Sequence, residues 1–236
     1  MLTNDKRITI LCGHYGTGKT NVAVNAALAL AETGDPVTVA DLDIVNPYFR
    51  TADSAEDLRL AGVELIAPKF ANSNVDLPAL PAEAYRLVED RSVFGVMDIG
   101  GDDRGAYALG RYAPFLKKEG DYRAVFVANS YRPLTATPEE ALEVMREIEA
   151  ACGIPMTHIV NNANLGWETT ARTVLDSLAY MEELSRLSGL PIWFHAAEKA
   201  VAAELQGKLT PVLSMELQEK YFDLPRQKPQ ARPLFG

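Results

Sequence analysis

The 236-residue sequence holds only two cysteines, Cys12 and Cys152, and only three histidines. Two thiols cannot build a disulfide framework, and without a C-x-x-C pair or a Cys/His cluster no zinc site is expected. An excess of positive charge is also missing: 23 Lys and Arg stand against 32 Asp and Glu, a formal net charge of −9. That balance argues against adhesion to nucleic acid or to an anionic membrane surface. No apolar run is long enough to span a bilayer, and the polar stretch Met1 to Arg7 lacks the apolar centre of a secretory signal. No internal repeat and no glycine- or proline-rich linker divides the chain. What remains is an ordinary globular composition, 47% hydrophobic and 23% charged. A cytoplasmic protein with one domain over residues 1–224 is expected, followed by a Pro-rich basic tail over 225–236.

One stretch organises the rest. Gly13-His14-Tyr15-Gly16-Thr17-Gly18-Lys19-Thr20 satisfies the pattern G-x-x-x-x-G-K-[ST], between an apolar run, Ile8 to Cys12, and an alanine-rich run, Asn21 to Ala31. A strand leading in and a helix leading out are the context this phosphate-binding loop requires. Its glycines let the backbone wrap an anion with the N–H groups turned inward, and the positive end of the next helix adds to the field. Lys19 is placed to reach the β- and γ-phosphates, and the Thr20 hydroxyl to ligate Mg²⁺. Residues 13 to 20, with Asn21, are therefore read as the nucleotide cradle.

Downstream, apolar runs alternate with amphipathic ones. Strands are expected at Val37–Ala40, Val63–Ala67, Val93–Ile99, Tyr122–Ala128, Thr157–Val160 and Ile192–His195, the last of them. Helices are expected at Ser54–Leu60, Leu77–Asp90, Arg104–Lys118, from the capping box at Thr137-Pro138-Glu139-Glu140 to Ala151, and as one long helix at Glu168–Leu187. The Pro-interrupted stretch 44–50 reads as a loop. Near-continuous apolar strands separated by helices predict an α/β fold, a mostly parallel sheet covered on both faces.

In such sheets ligands bind beyond the carboxyl ends of the strands, so the residues there are the candidates. Asp98 begins the spacing Asp-x-x-Gly that closes at Gly101. Its carboxylate can hold Mg²⁺, and the Gly101 N–H can approach the γ-phosphate. Asp41 and Asp43 end the preceding strand, Asp41 near the metal and Asp43 facing the loop, where a carboxylate can orient an attacking water. Lys19, Asp43 and Asp98 form the expected catalytic set; Thr20, Asp41 and Asp98 form the metal set. Asn161-Asn162-Ala163-Asn164 stands where guanine readers place Asn-Lys-x-Asp. Asn164 carries one acceptor and one donor, so it cannot accept from two guanine N–H groups, while Asn161 can bond the edge of adenine. ATP is the expected nucleotide.

From Ile8 to Ala203 this arrangement resembles the MinD/ParA-type ATPases, the deviant-Walker P-loop family of the CobQ/CobB/MinD/ParA type. The likeness rests on Gly13 to Thr20, Asp41-Leu42-Asp43, Asp98 to Gly101 and Asn161. It implies Mg-ATP, slow ATPase activity, and a homodimer that sandwiches two nucleotides, with Asp43 orienting water. One departure stands out. The family's signature lysine, which reaches the partner's phosphates, is here His14, shorter and largely neutral near pH 7. Any such dimer is expected to be weakened. The function implied is a nucleotide-dependent switch or accessory factor for a protein partner. An ATP-dependent ligase or kinase on a small molecule, like the dethiobiotin and cobyrinate-diamide synthetases, is the alternative. Tyr48, Arg50, Lys69, Arg104 and Arg132 are its candidate substrate contacts. A scaffold that holds ATP without turnover is a third.

Overall fold

The computed structural model describes residues 2, 5–43, 51–67, 82–101 and 103–217. Eight parallel strands form one sheet in the order β3-β2-β4-β1-β5-β6-β7-β8. They are β1 Ile8–Cys12, β2 Val37–Leu42, β3 Glu64–Ile66, β4 Phe94–Ile99, β5 Tyr122–Ala128, β6 His158–Asn161, β7 Ile192–Glu198 and β8 Val212–Met215. The α/β fold with a parallel sheet is as the sequence implies. β1 and β2 are buried along their whole length, which is why they read as unbroken apolar runs.

Side-chain alternation along the strands feeds two cores. Ile8, Ile10, Cys12, Met97, Ile99, Ala124 and Phe126 face one layer of helices, and Leu11, Val39, Val96, Val125 and Val127 face the other. On the second face lies α1, Lys19–Ala31. Its buried Ala23, Ala26 and Ala27 are small enough to let the helix axis sit close to the sheet, fixing where its first turn points. α2, Ala55–Leu60, follows a 3-10 turn at Thr51–Ser54.

Three helical expectations are corrected. The segment expected as one helix from Arg104 to Lys118 is two, α4 Asp103–Gly110 and α5 Ala113–Glu119. Pro114 cannot donate a backbone hydrogen bond, and its ring would strike the carbonyl four residues back, at Gly110; the helix breaks there. The long helix expected over Glu168–Leu187 is a 3-10 turn at Gly166–Glu168, then α7 Ala171–Asp176 and α8 Leu178–Ser188. The break falls on Ser177, whose hydroxyl donates back to the Val174 carbonyl at 2.7 Å and so competes with the helix ladder. Of the helix expected over Leu77–Asp90, the described part is a 3-10 turn, Ala82–Tyr85, and α3, Arg86–Glu89; residues 77–81 lie outside the described residues. α6, Pro138–Cys152, carries the expected capping box.

The chain also continues past the strand expected to be last. β7 runs on to Glu198, and α9, Lys199–Leu205, leads to edge strand β8. With four residues and one exposed serine, β8 carries little apolar signal of its own. The loop at 44–50 and the tail at 225–236 lie outside the described residues. Among those described, no helix is long and apolar enough to cross a membrane.

Candidate functional site

The loop after β1 runs toward β2 on one side of the sheet, while the loop after β5 runs toward β6 on the other. The crevice between these diverging connections, at the carboxyl end of β1, is where a parallel sheet binds ligands. Residues 13–18 fill its floor. Three donors converge on the His14 carbonyl: the Thr17 N–H at 3.3 Å, the Thr17 hydroxyl at 2.9 Å and the Lys19 ammonium at 3.2 Å. This draws the loop into a compact cup. Gly18, at φ +83°, turns the chain directly into α1 and gives that helix no side-chain cap. Gly18 thus offers no side chain of its own to the first N–H groups of α1, the end of a helix that favours an anion. Lys19 and Thr20 lie inside this first turn, two residues before the expected start of the helix.

Gly101 lies across the cup from this helix start. A side chain there would stand 2.6 Å from the Tyr15 nitrogen and 2.8 Å from the Lys19 ammonium. The close approach demands glycine and brings the Asp98-x-x-Gly101 turn against the phosphate loop, as its spacing implies.

The carboxylates come together through strand register. β2 and β4 pair with Asp41 opposite Asp98, so both side chains end at the same level of the crevice. The Asp43 N–H donates to Asp41 Oδ1 at 3.0 Å, and the Thr51 hydroxyl to Asp98 Oδ2 at 3.3 Å. Asp41 Oδ2 and Asp98 Oδ1 are buried with no hydrogen-bond partner. Burial first, and then the Asp98 charge, push the Asp41 carboxyl up to about 7. Burial pushes Asp98 up to about 6, against the downward pull of the Lys19 charge and of hydrogen bonds from Thr20 and Thr51. Two buried carboxyl groups with idle oxygens, beside a threonine hydroxyl, form an oxygen donor set that suits Mg²⁺, whose charge would favour their ionised form. Asp43 is buried at the same edge.

The base side differs from expectation. Asn161 is 1% exposed, and its carboxamide is spent inward. The amide donates to Ser177 Oγ at 2.8 Å and to His195 Nδ1 at 3.1 Å, while its oxygen accepts from the Ala163 N–H at 3.0 Å. In this arrangement Asn161 shapes the wall from behind and turns no edge toward a base. Asn164 is also engaged, accepting from the Gly166 N–H at 2.5 Å.

Two residues of the site carried no role in the sequence reading. Asn162 donates its amide to the Thr17 carbonyl at 2.6 Å, tying β6 to the phosphate loop. Thr51 joins the carboxylates from a turn that no motif marks. His14 is half-exposed, its Nδ1 3.1 Å from the Tyr15 carbonyl, and Tyr15 is 56% exposed on the rim. Of the candidate substrate contacts, Arg132 lies beside Gly16. Tyr48, Arg50 and Lys69 lie outside the described residues. Arg104 falls in the first turn of α4.

Comparison with known proteins adds a partial frame. No protein-family model matches the chain. It is 48% identical over 52 residues to an iron-sulfur cluster carrier protein of Salmonella typhimurium, covering 22% of this chain and 14% of that protein. It is 33% identical over 97 residues to cytosolic Fe-S cluster assembly factor cfd1 of Emericella nidulans, covering 41% of this chain and 27% of that protein. The matched parts thus span well under a third of the length of these curated relatives. Among solved structures it is similar to signal recognition particle 54 kDa protein from Aeropyrum pernix in complex with GDP, with TM-score 0.54 and 18% identity over 83% of this chain and 42% of that one. FtsY of Thermotoga maritima gives TM-score 0.51 and 20% identity, over 83% and 63% of the two chains. The fold is that of the P-loop NTPases.

Proposed function

We propose that this chain is a cytoplasmic Mg-ATP-binding P-loop ATPase of slow turnover, acting as a nucleotide-dependent switch or accessory factor for a protein partner. The observation that carries this reading is the meeting of three motifs at the end of β1: the cup of residues 13–20, the carboxylate pair Asp41 and Asp98, and Gly101 packed on Tyr15. The loop N–H groups and the first turn of α1 receive the phosphates. Lys19 neutralises the β- and γ-phosphates. Thr20, Asp41 and Asp98 would hold Mg²⁺, which when bound offsets phosphate charge and orients the terminal phosphate. Asp43 accepts a hydrogen bond from the attacking water and aligns it.

The two curated relatives are named for iron-sulfur cluster carriage and assembly. They favour a partner engaged in handling such a cluster. This chain's own two cysteines are poorly suited to hold one: Cys12 and Cys152 are both buried. Burial pushes both thiols up, keeping them in the protonated form that ligates metal badly. The second reading, a small-molecule ligase or kinase, draws support from Arg132 at the loop rim and from a histidine where a trans-acting lysine would stand.

Calorimetry with Mg-ATP and Mg-GTP tests the reading, together with phosphate release in the presence and absence of a metabolite pool. ATP binding with slow basal turnover supports the switch. Metabolite-stimulated turnover would transfer the site to the ligase reading, and an equal affinity for GTP would remove the preference for adenine.

A further inference from the structure

Gly16 stands at the middle of the cup, at φ +78°. Arg132 packs beside it: its Cζ, Nε and Nη1 lie 3.5, 3.6 and 3.7 Å from an ideal Cβ built on Gly16, ordinary van der Waals distance. A guanidinium therefore lies along the rim of the loop expected to hold the phosphates. Its placement is not casual. The Arg132 N–H donates to the Asn129 carbonyl at 3.2 Å, and its own carbonyl accepts from Thr135 at 3.0 Å. Asn129 Oδ1 accepts from the Tyr131 N–H at 3.0 Å, the Thr135 hydroxyl donates to the Asn129 carbonyl at 2.9 Å, and Pro133 opens the 3-10 turn Pro133–Thr135. The backbone is pinned on both sides while the side chain stays exposed, and the guanidinium makes no hydrogen bond or ion pair with any described residue.

A polyphosphate entering this cup meets Asp41, Asp43 and Asp98 at the same sheet edge, in a protein of net charge −9. A planar guanidinium on a preset turn can meet two phosphate oxygens at once, which an ammonium cannot. We propose that Arg132 is a second, cis-acting cation of this site, turning from Gly16 onto the β- and γ-phosphates when a triphosphate binds. The inference rests on the Mg-ATP reading and places a second phosphate-binding cation within one chain, where position 14 carries a histidine shorter than lysine.

The test is calorimetric and independent of turnover. A Mg-bound non-hydrolysable ATP analogue and Mg-ADP are titrated into wild type, Arg132→Ala and Arg132→Lys, with a thermal melt of each. Loss of a charge-assisted contact should weaken the analogue about 10-fold or more in Arg132→Ala and ADP by less than about 3-fold, with Arg132→Lys in between. The melts should coincide, because no described residue depends on the guanidinium. Equal losses for both nucleotides, or none, would overturn the assignment while leaving Mg-ATP binding intact. A wild type that binds neither nucleotide would instead bring down the Mg-ATP reading, and the inference with it.

Discussion

The side-chain amide of Asn162 donates to the main-chain carbonyl of Thr17 at 2.6 Å, across 145 residues of sequence. It holds the phosphate loop against β6, and a side chain on Gly18 would collide with that same amide. Asn162→Ala leaves the Thr17 carbonyl without its donor and loosens the cup. Stability should fall by about 1–3 kcal/mol, with a matching loss of nucleotide affinity. Denaturant melts with and without Mg-ATP read both. A variant as stable and as tight as wild type would show the tie to be incidental.

Lys19→Ala removes the cation set against the β- and γ-phosphates. Affinity for Mg-ATP should drop about 100-fold or more, some 3 kcal/mol, as for loss of a strong hydrogen bond between charged groups. Unchanged affinity by calorimetry would refute the phosphate-loop assignment.

Stripping the metal tests the carboxylate pair. Chelation by EDTA should weaken ATP binding to wild type, because Asp41 and Asp98 then face phosphate charge without a cation between. In Asp98→Asn the difference between Mg²⁺ and EDTA should shrink several-fold. The same metal dependence in both proteins would place the cation elsewhere.

His195 gives a pH dependence. Burial holds its imidazole below the ordinary value, and Asn161 points an N–H at Nδ1, so the neutral ring is the form that fits. A base whose pKa is lowered by folding contributes stability that is present above its unfolded value, near 6.5, and is lost as pH falls below it. His158 is shifted the same way, by burial and then by Arg123. Denaturation at pH 7.5 and 5.5 should show wild type weaker in acid, and His195→Gln should reduce that difference. An identical acid loss in the variant would move its origin to other groups.

His14→Lys probes assembly. If two chains meet across their nucleotides, a longer and permanently charged side chain at the rim should tighten an ATP-dependent dimer by about 10-fold. Sedimentation with and without a non-hydrolysable analogue decides it. Equal association of wild type and variant would deny position 14 that role.

The phosphate loop was legible in the sequence because its chemistry is local. Glycines, Lys19 and Thr20 are neighbours, and the strand and helix that frame them follow from apolar runs on either side. Asp98 and Gly101 were legible for the same reason, three residues apart at a strand end. The parallel α/β architecture followed from unbroken apolar strands alternating with helices, a pattern that burial on both faces imposes. The helix break at Ser177 was not legible, since it depends on a single hydroxyl bonding backward and on Asn161 reaching it from the end of β6. Strand register put Asp41 opposite Asp98, and with it two idle oxygens in one buried place. Which way Asn161 turns, that Asn162 braces Thr17, that Thr51 reaches Asp98 and that Arg132 lies on Gly16 were settled only by the tertiary structure. Each joins segments far apart in the chain, and no local pattern encodes a contact whose two halves are brought together only by the packing of the sheet.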